Sequence, residues 1–204
     1  LFPRPDYWPA SAHITGYAER PKTGNWQPDE ALTAFLNQHP KVLFVTFGSM
    51  VNTDPEAKTQ ALLRVIIKYN IPTIINTSWG GLVEQQVVPD HVFYTNNVPY
   101  DALFPRIYAV VHHGGSGTTH TAIKYGCASL IIPHIMDQFF WNRLIAKQGA
   151  GPLGIPIKKL TESRIEPLLH DLWTEASYKQ NAQRLAESMA RENADHNLVR
   201  ALCS

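Results

Sequence analysis

Cysteine is almost missing from this sequence: Cys127 and Cys203 are the two present in 204 residues. They lie far apart and have neither redox-pair nor metal-ligand spacing, so a disulfide framework is excluded and no metal is expected. Two free thiols point to a reducing compartment, with a cytoplasmic location as the expectation. Charge of one sign is missing as well. Charged residues make up 17% and the net charge is +1, which gives no whole-molecule field to draw nucleic acid or an anionic membrane. The one tight basic pair, Lys158-Lys159, reads as a solvated surface doublet. Long apolar runs are lacking too: Val42–Phe47 and Leu130–Pro133 are strand-sized, and no stretch reaches a membrane span. No Gly-Lys dipeptide occurs, which removes a P-loop. A dinucleotide fingerprint started at Gly115 and Gly117 fails because its third glycine falls on His120.

What is present is a hydrophobic fraction of 44%, ordinary for a chain with a real core, arranged in alternating strand and helix patterns. Residues 1–28 hold Pro3, Pro5, Pro9, Pro21 and Pro28 with little periodicity, and read as an interdomain linker with one short strand around His13–Gly16. A first segment that opens in a proline-rich stretch without Met suggests a piece of something longer. From Asp29 onward the pattern becomes regular. Helices are expected at Asp29–Gln38, Asp54–Tyr69, Gly81–Gln86, Gly117–Tyr125, Gln138–Lys147, Glu162–Glu175 and Tyr178–Asn193. Strands are expected at Lys41–Phe47, Pro72–Asn76, Val92–Thr95, Ala109–His112, Ser129–Pro133 and around Pro152–Ile157. Nearly all-apolar strands between helices predict an α/β fold, a Rossmann-like doubly wound parallel sheet over residues 29–204.

In such a fold ligands bind beyond the carboxyl ends of the strands. Gly48-Ser49, Asn76–Gly80, Thr95–Val98, His112–Thr118 and Pro133–Gln138 all fall there. In the fourth, an apolar strand ends in His112-His113 and runs through Gly114, Gly115, Ser116, Gly117 and Thr118 into a helix. Glycines let backbone N–H groups approach an anion, and the helix dipole adds about 0.3–1 kcal/mol at an exposed site. Hydrogen bonds to a charged partner add about 1.5–3 kcal/mol each. The segment is therefore a candidate diphosphate site. The same glycines also fit a bare tight turn with Ser116 as helix cap. Asp137 and Gln138 offer acceptor and donor to adjacent hydroxyls, as a sugar needs, and equally fit a helix N-cap pair.

The ordered set Phe47-Gly48-Ser49, Asn97-Val98-Pro99, His112 to Thr118, Gly126, Pro133 and Asp137-Gln138 resembles the donor-binding signature of family 1 UDP-glycosyltransferases. It is most similar to the sterol glucosyltransferase and antibiotic glycosyltransferase branch. Thr15-Gly16-Tyr17 resembles the end of that family's linker. The resemblance covers nearly the whole chain. It implies one half of a GT-B fold: the carboxyl-terminal domain that binds a UDP-sugar, UDP-glucose by the presence of Gln138, without the amino-terminal acceptor domain.

By resemblance His112 contacts the diphosphate with Gly114–Thr118, Ser49 reaches the phosphates, the Val98 backbone pairs with uracil, and Asp137 and Gln138 hold the sugar. Asn97 stands where the plant branch has a uracil-stacking aromatic; Trp79 is a candidate substitute or an ordinary half-buried loop tryptophan. Phe139, Phe140 and Trp141 read as helix core. The family's catalytic histidine belongs to the absent domain, which leaves no catalytic residue in this chain. It is thus expected to be inactive alone, as part of an inverting hexosyltransferase acting on a small lipophilic hydroxyl without cofactor or metal. The alternative is the donor-binding subunit of a split transferase, docking through an apolar face at Met50, Trp79 and Phe139.

Overall fold

A computed structural model of the chain describes residues 4–17, 26–192 and 199. Helix α1 (Glu30–Gln38) starts where Asp29 Oδ1 accepts the Leu32 N–H at 2.8 Å, and α2 (Pro55–Lys68) where Asp54 accepts the Ala57 N–H at 3.1 Å. Each cap satisfies a donor that the helix itself cannot, and Pro55 adds a preset φ at the first position. The expected strands appear as β1 (Leu43–Thr46), β2 (Thr73–Asn76), β3 (Val92–Thr95), β4 (Ala109–His112) and β5 (Ala128–Ile131). A four-residue helix α3 (Tyr100–Leu103) follows β3 and was not anticipated. Helices α4 (Ser116–Lys124), α5 (Gln138–Lys147), α6 (Glu162–Thr174) and α7 (Ala176–Arg191) complete the order.

The five strands form one parallel sheet in the order β3-β2-β1-β4-β5. The chain runs outward through β2 and β3, then returns to the other side of β1 for β4 and β5. The switch between β1 and β4 opens a crevice at their carboxyl ends. Register there is fixed by Leu43 beside Ala109 and Thr46 beside His112. Both faces of the sheet are covered. Leu43, Val45, Val111 and Leu130 pack under Leu62, Ile66, Ile165 and Leu169 of α2 and α6. Phe44, Ile74 and Val110 face the opposite way onto Leu32, Phe35, Leu103 and Ala122. Alternate residues thus serve alternate cores, which is why the strands read as continuous apolar runs.

Three expected elements differ. Residues 13–16 are irregular rather than a strand. The helix expected at Gly81–Gln86 is replaced by a 3-10 turn at Ser78–Gly80 and an irregular run. In that run Gly81 O accepts from Asn52 Nδ2, Val83 N–H donates to Thr59 Oγ1 and Gln85 N–H donates to the Tyr94 hydroxyl. Asn52 and Tyr94 take Gly81 O and Gln85 N–H, which a helix would have paired with each other, and Thr59 takes the Val83 N–H. The segment around Pro152–Ile157 is no strand, although Ala150 O accepts from Ser129 N–H beside β5. Its glycines allow the contact: a Cβ on Gly151 would lie 1.8 Å from Ser129 O, and one on Gly154 1.7 Å from Ile131 O. The expected helix end at Asn193 lies outside the described residues.

His112 closes β4 with its ring fully buried. Its Nδ1 accepts the Gly114 N–H at 3.1 Å, and its Nε2 has no partner among the described residues. Burial, followed by the neighbouring His113, pushes the imidazole down to about 3 from 6.5. It is therefore neutral when folded.

Two outcomes are expected. Gly154→Ala should lower unfolding stability by about 2–3 kcal/mol through overpacking, read by urea denaturation; an unchanged midpoint would mean the close pass beside β5 is absent. In the second, the unfolded chain takes up a proton near pH 6.5 that folded His112 refuses. Stability should therefore be full above pH 6.5 and drain as pH falls toward about 3. The loss should approach about 1.4 kcal/mol per pH unit. His112→Asn, which keeps an acceptor for Gly114, should flatten the urea-midpoint profile between pH 7 and 5 relative to wild type.

Candidate functional site

Four strand ends meet around a cleft of about 530 Å³. At its base three of them are tied together. Thr46 Oγ1 and the Tyr100 hydroxyl lie 2.8 Å apart, Thr46 Oγ1 accepts the Gly48 N–H at 3.1 Å, and Asn76 Nδ2 donates to Tyr100 at 3.4 Å. Burial raises the Tyr100 phenol, which keeps it protonated and able to donate. Stacking on Phe104, with ring centroids 5.0 Å apart, holds the phenol ring in place. A satisfied buried network of this kind fixes loop positions that apolar packing alone would leave adjustable.

The first wall follows β1. Gly48 has φ +56°, where a side chain is strained, and Ser49 lines the cleft beside it. Past β2, Trp79 stands 76% exposed at φ 65°, a left-handed conformation uncommon outside glycine. Past β3, Asn97 also takes positive φ and Val98 is buried against the core, both on the cleft wall. Tyr17, from the segment preceding the domain, closes one side.

The fourth wall is the β4–α4 junction. Here the imidazole facing the cleft is His113, not His112. Its ring is wedged between two glycines: a Cβ on Gly115 would lie 2.4 Å from Nε2, and one on Gly48 2.8 Å from Cε1. Burial, then the charge of His134, push His113 down to about 4 while Asp137 pulls it back. At neutral pH it is an uncharged imidazole with one donor and one acceptor nitrogen. Nδ1 is buried without a partner among the described residues.

Helix α4 begins at Gly115 with no side-chain cap and no acidic residue in its first turn. Ser116 is not a cap, since its hydroxyl lies 3.4 Å from His120 Nδ1. The first intrahelical N–H belongs to Thr119, bonded to Gly115 O at 2.9 Å. The N–H groups of 116 to 118 thus have no intrahelical partner and sit at the positive end of the dipole, with Gly117 and Thr118 on the cleft wall. Such an end accommodates an anion.

Several expected site residues sit elsewhere. His112 is fully buried and is not among the residues lining the cleft, and its Nε2 has no partner among the described residues. Parity explains this: His112 continues the alternation of Ala109–His112, in register with buried Thr46, whereas the next residue leaves the strand and is free to face the crevice. Gly114 lies beneath the wall, where a Cβ would meet Ile131 at 2.6 Å. Gln138 is buried, and its Oε1 accepts the N–H groups of His134 at 2.7 Å and Ile135 at 3.1 Å. Its amide holds the loop after β5 instead of lining the cleft. Asp137 is exposed and its Oδ2 accepts from Trp141 Nε1 at 3.2 Å. Neither Met50 nor Phe139 is fully exposed; Val51, Trp79, Ile135 and Met136, on the loops after β1, β2 and β5, are exposed apolar side chains, and Trp79 lines the cleft. Asn76 opens the expected strand end Asn76–Gly80, whereas Tyr100 and Tyr17 join the cleft from outside the expected strand ends. Among the described residues no three His, Cys, Asp or Glu side chains converge as a metal set, and no helix is long and apolar enough to cross a membrane.

Residues 62–204 match the family described as "Erythromycin biosynthesis protein CIII-like, C-terminal domain". Over 201 residues the chain is 32% identical to "Sterol 3-beta-glucosyltransferase UGT80A2" of Arabidopsis thaliana, covering 98% of this chain and 31% of that protein. It is 30% identical to "Sterol 3-beta-glucosyltransferase" of Debaryomyces hansenii, covering 99% of this chain and 14% of that protein. The chain thus spans under a third of these relatives. Among solved structures, "Spinosyn Forosaminyltransferase SpnP" superposes with a TM-score of 0.69 at 22% identity, over 83% of this chain and 45% of the other. "Spinosyn Rhamnosyltransferase SpnG complexed with thymidine diphosphate" gives 0.69 at 19% identity, over 94% and 50%. The chain belongs to the erythromycin biosynthesis protein CIII-like carboxyl-terminal domains, a branch of the family 1 glycosyltransferases with the GT-B architecture.

Proposed function

We propose that the cleft binds the diphosphate of a nucleoside-diphosphate sugar, UDP-glucose, as the donor half of an inverting hexosyltransferase. The observation that carries this is the uncapped amino-terminus of α4 placed beside the neutral ring of His113 at the β1–β4 switch. His113, the N–H groups at the start of α4, and the hydroxyls of Thr118 and Ser49 are the donors. Each such bond to a charged oxygen is worth about 1.5–3 kcal/mol. Trp79, exposed on the β2 wall, offers a face for the base, and the Val98 backbone offers its edge a hydrogen bond. Asp137, near enough to His113 to act on its titration, holds a sugar hydroxyl at the rim.

In the transfer, an acceptor hydroxyl loses its proton to a base outside this chain and attacks the anomeric carbon. The bond from that carbon to the diphosphate oxygen breaks with inversion, and UDP leaves. The charge growing on the leaving diphosphate is what α4 and His113 stabilise. Residues 1–28 serve as the linker to an amino-terminal acceptor domain, and residues 29–204 as the donor domain. The chain alone is inactive, and its place is the cytoplasm. The names of the sterol 3-beta-glucosyltransferase relatives favour a sterol-like lipophilic acceptor. The exposed Val51, Trp79, Ile135 and Met136 on the loops after β1, β2 and β5 suit a covering domain, whether joined to this chain or a separate subunit.

Calorimetric titration tests this. Wild type should bind UDP and UDP-glucose more tightly than dTDP, and His113→Ala should weaken UDP by about 10- to 100-fold while His112→Asn stays near wild type. Gly115→Ala drives its Cβ into the His113 ring; it should lose UDP affinity and, through overpacking, about 1–3 kcal/mol of stability. A wild-type chain that binds none of the three nucleotides would falsify the assignment.

A further inference from the structure

The cleft contains a side chain that the donor reading does not use. Tyr17 comes from the segment ahead of the domain, yet its ring stacks on His120 of α4 with centroids 4.1 Å apart and planes 12° off parallel. His120 is held in turn by the carbonyl of Ser116, 2.7 Å from Nδ1, in the first turn of the same helix. The His120 ring also meets Trp141 of α5 edge-on, with centroids 5.0 Å apart. The indole N–H of Trp141 then donates to Asp137 Oδ2 at 3.2 Å. A chain of contacts therefore runs from Tyr17 through His120 of α4 and Trp141 of α5 to the carboxylate of Asp137. Burial lowers His120, so the stack is between uncharged rings at neutral pH.

We propose that Tyr17 is a positioning residue of the donor site: seated on His120, it sets Trp141 and thereby the orientation of Asp137 toward the sugar. This rests on the donor reading above. The geometry separates two ends of one ligand. The diphosphate end depends on His113 and the start of α4, which Tyr17 borders at the Gly117 position: a Cβ there would lie 3.6 Å from the Tyr17 hydroxyl. The sugar end depends on Asp137, which Tyr17 reaches through two rings and one hydrogen bond. A linker that carries such a residue ties donor orientation to the position of whatever precedes it.

The test uses the whole chain with UDP and UDP-glucose as separate probes. Tyr17→Ala should weaken UDP-glucose by about 3- to 10-fold, the range expected for one aromatic pair, and UDP by less. Tyr17→Phe, which keeps the ring, should bind like wild type. Trp141→Phe keeps a ring but loses the donor to Asp137, so it should weaken UDP-glucose and leave UDP unchanged. Independently of any ligand, the Trp141 indole N–H resonance, identified by its loss in Trp141→Phe, should shift in Tyr17→Ala. An unmoved resonance, equal losses for UDP and UDP-glucose, or a Tyr17→Phe as weak as Tyr17→Ala each overturns the positioning role alone. Wild type binding neither probe overturns the donor reading and this inference together.

Discussion

One ring between two bare backbones organises this molecule. His113 fits only because Gly48 leaves β1 and Gly115 opens α4 without side chains, and the two strands that carry them lie side by side in parallel register. A methyl group at either position would lie inside van der Waals contact with the imidazole. The β1–β4 pairing thus does more than bury apolar surface. It brings a glycine turn, a neutral imidazole and an uncapped helix start to one point, so that a cleft forms where the sheet changes direction.

The surroundings hold that point in place. Thr46, Asn76 and Tyr100 come from the ends of β1 and β2 and the start of α3, and their mutual hydrogen bonds spare each a buried, unsatisfied polar atom. Gln138 acts in the same way after β5, where its carbonyl oxygen takes two backbone donors that the turn cannot pair internally. Polar side chains at strand ends here are spent on holding loops before any is available to a ligand. The division between the two histidines follows the same logic: His112 uses Nδ1 to hold Gly114, which leaves His113 to face the cleft.

Strands and long helices were legible because burial on both faces and helical caps leave local marks. The run Ala109–His112 and the helix Gln138–Lys147 stand where their patterns put them. Asp29 and Asp54 cap the helices they precede. Elements whose backbone partners come from distant side chains were not legible. Nothing in 81–86 announces that Asn52, Thr59 and Tyr94 will take its polar groups. Likewise, Gly151 and Gly154 read as strand or loop until the carbonyls of Ser129 and Ile131 are seen pressed against them.

By itself the sequence determined the class of fold, the strand ends at which a ligand must lie, and the glycine turn entering a helix, because each depends on periodicity and on backbone chemistry within a few residues. Only the tertiary structure decided which imidazole meets the cleft, that Ser116 does not cap α4, that Gln138 is spent on its own loop, and that Tyr17 reaches across to His120. Those outcomes depend on which side of a strand a residue falls and on what lies opposite it across the sheet, and that distance is not encoded in local spacing.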